Sequence, residues 1–457
     1  MTEGAAVGAE LPDLPPLAVA EIDLDGPDGE VLSLRPAPGG PPLGEGGVYA
    51  LVRLRGRPAA TVLAHVRAGE DAAEVLAAAF RAEWAVRKRH NAQGRSVEHR
   101  ARAEPVPPPC AERPTPPLPR ATVVVATRER AARLARALDS LLAQDHPDFQ
   151  VLVVDNAPVT TATRDLVQGR YAGRVDYVLE PVPGLATAHN RGIAAARGEV
   201  LAFTDDDVIA DPHWLTALTE PFAADPRLGC TTGLILPARL TTPAQILLES
   251  HGGFAKGFTP RLYDPAAPPS DEPLFPFTAG SFGSGANMAF RAQVLASVGG
   301  FDPATGTGTP ARGGDDLYAF VRVLSAGHRL RYTPGALVWH HHRETWQDLR
   351  NQAYGYGVGL TAYLTALLVR RPALLPSLVR KLPRGLAHAR AITAYRAGPD
   401  GGVTPGAPPN GTGSAPGAHG AQAHPWPRSL SRLERRGMLH GPLGYLKARL
   451  RQRGSRP

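Results

Sequence analysis

Between residues 120 and 204, short apolar runs rich in β-branched residues alternate with stretches of helical periodicity. The runs cover 121–126, 151–155, 175–179 and 200–204, and the intervening segments, among them 131–143 and 187–196, read as helices. Strands of this kind separated by helices predict an α/β fold with a mainly parallel sheet covered on both faces. Ligands of such sheets bind at the carboxyl ends of the strands. Asp155 and the triplet Asp205-Asp206-Asp207 fall at those ends, so they should line one crevice.

The triplet carries the chemistry furthest. Three adjacent carboxylates repel one another at neutral pH, so their concentration after a buried strand implies a cation. If strand geometry persists, Asp205 and Asp207 share a side and Asp206 faces away. The plain alternative is a solvated acidic turn. A second pair, Asp315-Asp316, follows a Gly-rich stretch and opens an apolar helix over 317–326, where an Asp can also serve only as a cap. His340, His341 and His342 end the run 336–339, and on a strand His340 and His342 share a face. No spaced Cys or His partners accompany them as a zinc site requires. Thr127 and Arg128 follow the first strand, and Gly184 to Asn190 leads into a helix whose N-terminus favours phosphate.

Composition divides the rest. The chain has 457 residues, enough for a full catalytic domain and at least one smaller unit. Its 47 Pro and 49 Gly exceed the usual share and point to linkers and tails. The reading by segment is a flexible leader over 1–16, a small α+β module over 17–104, a Pro-rich linker over 105–119 and the α/β domain over 120–360. A helical extension over 361–397, a disordered Gly/Pro-rich linker over 398–427 and a basic amphipathic tail over 428–457 follow. In the first module 48–54 and 59–66 form a hairpin, and a helix is expected over 71–88.

The N-terminus has neither the basic region nor the apolar core of a secretory signal, and the longest apolar segment, 358–369, is too short to span a bilayer. Two cysteines, Cys110 and Cys230, with the first among prolines, favour a reducing cytoplasm over a disulfide framework. A net charge of +8 favours anionic company. Much of the excess lies in the tail, whose Leu430, Leu433, Met438, Leu439, Leu443 and Leu446 among Arg and Lys suit an anionic membrane surface at the inner face of the plasma membrane. Aromatic residues are not interleaved there, which argues against nucleic acid.

Taken in order, five motifs resemble glycosyltransferase family 2, the inverting nucleotide-sugar transferases of GT-A fold: VVVATRERAARLARALDSLL, VLVVDNAP, PGLATAHNRGIAAARGEVLAFTDDDV, GSGANMAFR and GGDDLYAFVRVLSAGHRLRYTPGALVWHHHR. The resemblance covers roughly 120–360. It implies a nucleotide-sugar site made of Thr127, Arg128, Asp155, Gly184, Asn190, Asp205 and Asp206. It implies a divalent cation, manganese or magnesium, on Asp205, Asp207 and His340, an acceptor side at Gly285, Ala286 and Asn287, and catalytic Asp315 and Asp316 with Asp316 as base. Asp315 stands in place of the usual Glu, Tyr318 in place of a frequent acid and His189 in place of a frequent Arg. The implied partners are a nucleoside-diphosphate sugar and a glycan or lipid-linked acceptor, in cell-envelope polysaccharide or glycolipid synthesis. Two other readings remain at this point: a non-catalytic carbohydrate-binding or scaffold subunit, and a sugar-phosphate nucleotidyltransferase, which would want a Gly-rich loop where this chain has Thr127-Arg128-Glu129-Arg130.

Overall fold

The computed structural model describes residues 13–92, 117–251, 253–381, 383 and 426–454. Cys110, most of the expected Pro-rich linker and most of the 398–427 segment lie outside the described residues.

A four-stranded sheet comes first, in the order β2 (Val31–Pro36), β1 (Leu17–Leu24), β3 (Gly46–Leu54) and β4 (Arg57–Val66). The expected hairpin is β3–β4, and β1 lies parallel to β3. Side chains alternate across β3 with the period of a strand. Val48, Ala50 and Val52 face α1 (Ala72–Ala92) and its Leu76, Ala77 and Phe80. Tyr49 and Leu51 point the other way, into a cluster with Leu234, Leu236, Leu337 and Trp339 of the large sheet. On the same face Arg53 pairs with Glu21 at 2.9 Å and with Asp211 at 2.5 Å, so the module is docked by apolar contact and by a buried charge network. A cleft of about 250 Å³ at this junction is lined by Glu21, Arg35, Arg53, Asp145, Asp211 and His213, whose charges are matched within it.

The large sheet is built from β5 (Ala121–Thr127), α2 (Ala131–Leu141), β6 (Phe149–Asn156), α3 (Ala162–Arg170), β7 (Asp176–Glu180), α4 (Leu185–Ala195), β8 (Val200–Asp205), β9 (Val208–Ala210), α5 (Trp214–Ala224), β10 (Leu228–Pro237), α6 (Pro243–Ser250), β11 (Arg261–Tyr263), β12 (Asn287–Arg291), α7 (Ala292–Ser297), α8 (Asp315–Ser325) and β13 (Arg329–His340). Its order is β11-β13-β10-β12-β8-β5-β6-β7, with β9 on β13. The β8-β5-β6-β7 half is parallel. Beyond it β12 runs antiparallel to both neighbours, which reverses direction and lets β13 return alongside β10. One face is filled by Val124, Leu152, Val154 and Phe203, and the other by Val123, Val125, Val153 and Ala202 against Leu134, Leu138 and Trp214.

The carboxyl-terminal boundaries differ from the expectation. Helix α9 (Trp346–Arg370) runs straight through the boundary placed at 360/361, because Thr345 caps it by accepting from the Asp348 N–H and its apolar pattern continues without a break. The expected tail is an ordered helix, α10 (Arg428–Gly454), lying along α9. Glycines make that contact possible: a Cβ on Gly437 would collide with the Tyr354 carbonyl, and one on Gly441 with the Thr361 hydroxyl. Leu430 is buried, whereas Leu439, Leu443 and Leu446 remain exposed. Among the described residues no single helix is long and apolar enough to cross a membrane; α9 with Pro372–Lys381 has the composition, but the two are bent by 105°.

Candidate active site

Strand order gathers the site. β5 lies between β6 and β8, so Thr127, Asp155 and Asp205 arrive together at the carboxyl edge. The chain turns after Asp205, and β9 pairs with β13 so that Val208 lies opposite His340. That pairing carries His340 to Asp207 from 133 positions away, their Nε2 and Oδ1 atoms 3.4 Å apart. One donor atom from each of Asp205, Asp207 and His340 falls within 4.8 Å of the others.

This donor set fits a divalent cation. Burial, followed by repulsion from Asp207, Asp206 and Asp315, drives the Asp205 carboxyl well above its usual range, so ionisation there calls for a positive partner. Burial also opposes ionisation of Asp207, yet neighbouring cations hold it below its usual range. His340 ranks first among those neighbours. Burial, however, pushes its own imidazole down to about 3, leaving it neutral at pH 7, so Arg343, Arg130 and Arg133 carry the effect. Those guanidinium groups lie 3.8, 3.5 and 3.8 Å from Asp207 Oδ2. Two carboxylates and a neutral imidazole suit manganese or magnesium.

Several of the expected site residues make hydrogen bonds within the protein. The Thr127 hydroxyl donates to Asp206 Oδ2 at 2.7 Å, and Arg130 donates to Oδ1 at 3.0 Å, so the middle acid of the triplet braces the strand edge. Asn190 is likewise spent, donating to the Phe301 carbonyl and accepting from the Phe301 N–H, both at 2.8 Å. Asn287 accepts from the Trp214 indole and donates to the Leu234 and Ala336 carbonyls, which ties three strand regions together. Ala286 is buried, and its carbonyl accepts from the Thr204 hydroxyl. Polarity was legible at these positions, but direction was not.

Asp155 is fully buried; Tyr177 donates to its Oδ2 at 3.0 Å, while its Oδ1 has no hydrogen-bond partner within the protein. Arg128 is exposed. Gly184 precedes α4 with φ at 140°, and a side chain there would crowd Thr309 at 3.2 Å.

Asp315 and Asp316 start α8 after Gly314, which sits against the Gly359 carbonyl of α9. Asp315 approaches His189 at 3.6 Å. Asp316 Oδ2 accepts from the Gly285 N–H and Oδ1 from the Leu317 N–H, each at 2.8 Å. Burial and then the Asp315 charge raise Asp316 to about 6. The sequence reading missed Arg130, Arg133 and Arg343, and it missed Lys256, whose ammonium is pushed down by burial against the pull of Asp316. Arginines in loops and an isolated lysine carry no pattern that singles them out.

Comparison with known proteins points the same way. Residues 122–297 match the model for glycosyl transferase family 2, and 271–396 match that for glycosyl transferase family group 2. The pre-mycofactocin glycosyltransferase of Mycobacterium tuberculosis is 30% identical over 242 residues, covering 52% of this chain and 46% of that protein. The glucosyl-dolichyl phosphate glucuronosyltransferase of Haloferax volcanii is 24% identical over 194 residues, or 40% and 56% of the two chains. The chain thus spans about half the length of these curated relatives. A solved mannosyltransferase of Pyrobaculum calidifontis, bound to GDP-Man and Mn²⁺, overlaps 65% of this chain and 81% of that one at 21% identity, with a TM-score of 0.42, too low to carry residue roles across. On the ordered motifs, the sheet and the two family matches, the chain belongs to glycosyltransferase family 2 and has its GT-A fold.

Proposed function

We propose that this chain transfers a sugar, with inversion, from a nucleoside-diphosphate donor to an acceptor hydroxyl, and that a divalent cation assists it. The observation that carries the reading is the convergence of Asp205, Asp207 and His340 at the strand edge, with three arginines around Asp207 and a separate carboxyl, Asp316, at near-neutral pKa. Asp155 Oδ1 accepts an N–H of the nucleobase. The arginines face the diphosphate, whose charge grows as the anomeric C–O bond breaks. A cation on Asp205, Asp207 and His340 supplies Lewis-acid stabilisation of that leaving group. Asp316 takes the proton of the attacking hydroxyl, and single displacement inverts the anomeric carbon.

The test is a panel of nucleotide sugars with Mn²⁺, scored by binding and slow hydrolysis. Wild type is expected to bind one donor only with the metal, and Asp207→Ala to lose that binding. Absence of metal-dependent donor binding in wild type would leave the scaffold reading standing.

A lipid-linked acceptor is favoured by the outer face of α10, and the Haloferax relative is named for a dolichyl phosphate substrate. Leu439, Leu443, Leu446 and Leu450 are 77, 57, 43 and 66% exposed at helical spacing, beside exposed Arg428, Arg432, Arg435, Arg436 and Lys447. That face suits the anionic inner surface of the plasma membrane, where each basic residue contributes about 1 kcal/mol. Sedimentation with phosphatidylglycerol vesicles but not with phosphatidylcholine vesicles is expected, and equal binding to neither would remove the membrane from the proposal.

A further inference from the structure

The cation reading leaves one arrangement unexplained: a buried line of polar groups running from the amino-terminal module to His340. Tyr49 Oη donates to Glu249 Oε1 at 3.1 Å. Glu249 Oε2 lies 3.1 Å from His342 Nε2, and His342 Nδ1 lies 3.0 Å from His340 Nδ1. His340 Nε2 then faces Asp207 Oδ1 at 3.4 Å. Both imidazoles are buried, and Phe254 packs against them with ring centroids at 5.2 and 5.5 Å.

With Glu249 as a carboxylate and both imidazoles neutral, the direction of every hydrogen in this line follows from one end. An ionised carboxylate only accepts, so Glu249 takes a proton donor from both Tyr49 and His342, which places the His342 proton on Nε2. His342 Nδ1 is then a lone pair, and the 3.0 Å contact requires His340 to donate from its own Nδ1. Neutral His340 is left with a lone pair on Nε2, facing an Asp207 oxygen that also only accepts. Two acceptors 3.4 Å apart form no hydrogen bond with each other, and a cation shared between them reconciles the contact.

We propose that Glu249, relayed by His342 and buttressed by Tyr49, is a positioning residue that holds His340 in the Nδ1–H tautomer, so that Nε2 is presented to the divalent cation on Asp205 and Asp207. This rests on the cation reading above and adds to it a role for the amino-terminal module: it supplies the outermost member of the line, 158 residues before Asp207. The carboxylate fixes the tautomer because of its acceptor-only character, not its size.

Glu249→Gln separates those properties. The amide keeps the shape but donates as well as accepts, so the tautomer is no longer enforced; with the amide N–H toward His342 Nε2, every hydrogen in the line reverses and His340 carries its proton on Nε2. Titration of Mn²⁺ alone into the full chain, followed by electron paramagnetic resonance of the free ion, is expected to show about 10–100-fold weaker binding for Glu249→Gln. Tyr49→Phe should weaken binding less, since the carboxylate remains. The ¹⁵N resonances of His340 report the tautomer without any metal: wild type should show a protonated Nδ1 and a bare Nε2, and Glu249→Gln a share of the reverse. An unchanged melting temperature in Tyr49→Phe checks that packing is intact. Equal Mn²⁺ affinity in wild type and Glu249→Gln, or a wild-type His340 protonated on Nε2, overturns the inference. Should wild type bind no Mn²⁺ yet show the expected tautomers, the cation reading falls while the relay stands.

Discussion

The two acidic pairs of the cleft place the same side chain in opposite settings. Asp207 is ringed by Arg130, Arg133 and Arg343 and stays below its usual pKa. Asp316 has no arginine within ion-pair distance among the described residues; two backbone N–H groups hold it, and burial beside Asp315 lifts it to about 6. A carboxylate that must stay ionised to bind a cation and one that must accept a proton near neutral pH need these different surroundings. Their supports differ as well. The first pair is reached from the amino-terminal module through Tyr49, Glu249 and His342, whereas the second rides on a loop seated against α9.

Two measurements sharpen this contrast, the larger effect first. Asp316→Asn keeps the shape and one of the two acceptors of the backbone N–H groups but removes the proposed base; transfer is expected to fall about 10²–10⁴-fold while metal-dependent donor binding persists. Loss of both together would mean that the two pairs are not separate in function. The smaller effect is in the pH profile. Asp316 must be deprotonated to act, and its pKa is raised to about 6, so with Mn²⁺ saturating at each pH, kcat/KM is expected to rise about tenfold per unit up to that point and then level off. A profile flat down to pH 4 would remove Asp316 as the base.

Much of this was legible beforehand, for identifiable reasons. The parallel half of the sheet announced itself through apolar runs whose polar ends were Asp155 and Asp205, because burial of a strand and exposure of its carboxyl end leave marks in consecutive residues. The pairing of His340 with Asp207 was legible only by resemblance, since β9 is three residues long and gives no pattern of its own. That Thr127, Asn190 and Asn287 brace the site through hydrogen bonds of their own was not legible, because a polar residue beside a site and one bracing it look alike until the direction of the side chain is known. The line from Tyr49 to Glu249 crosses 200 positions, so nothing local could have disclosed it. The carboxyl-terminal helix was read as a tail from its basic, amphipathic composition; its glycines, which carry no pattern of their own, permit close approach to α9.

That close approach has a consequence for how α10 can evolve. Its adhesion depends on backbone meeting backbone at Gly437 and Gly441, a fit of shape that asks little of the residues on the far side. The outward row can therefore drift toward greasier or more cationic character without disturbing the seam that keeps the helix attached.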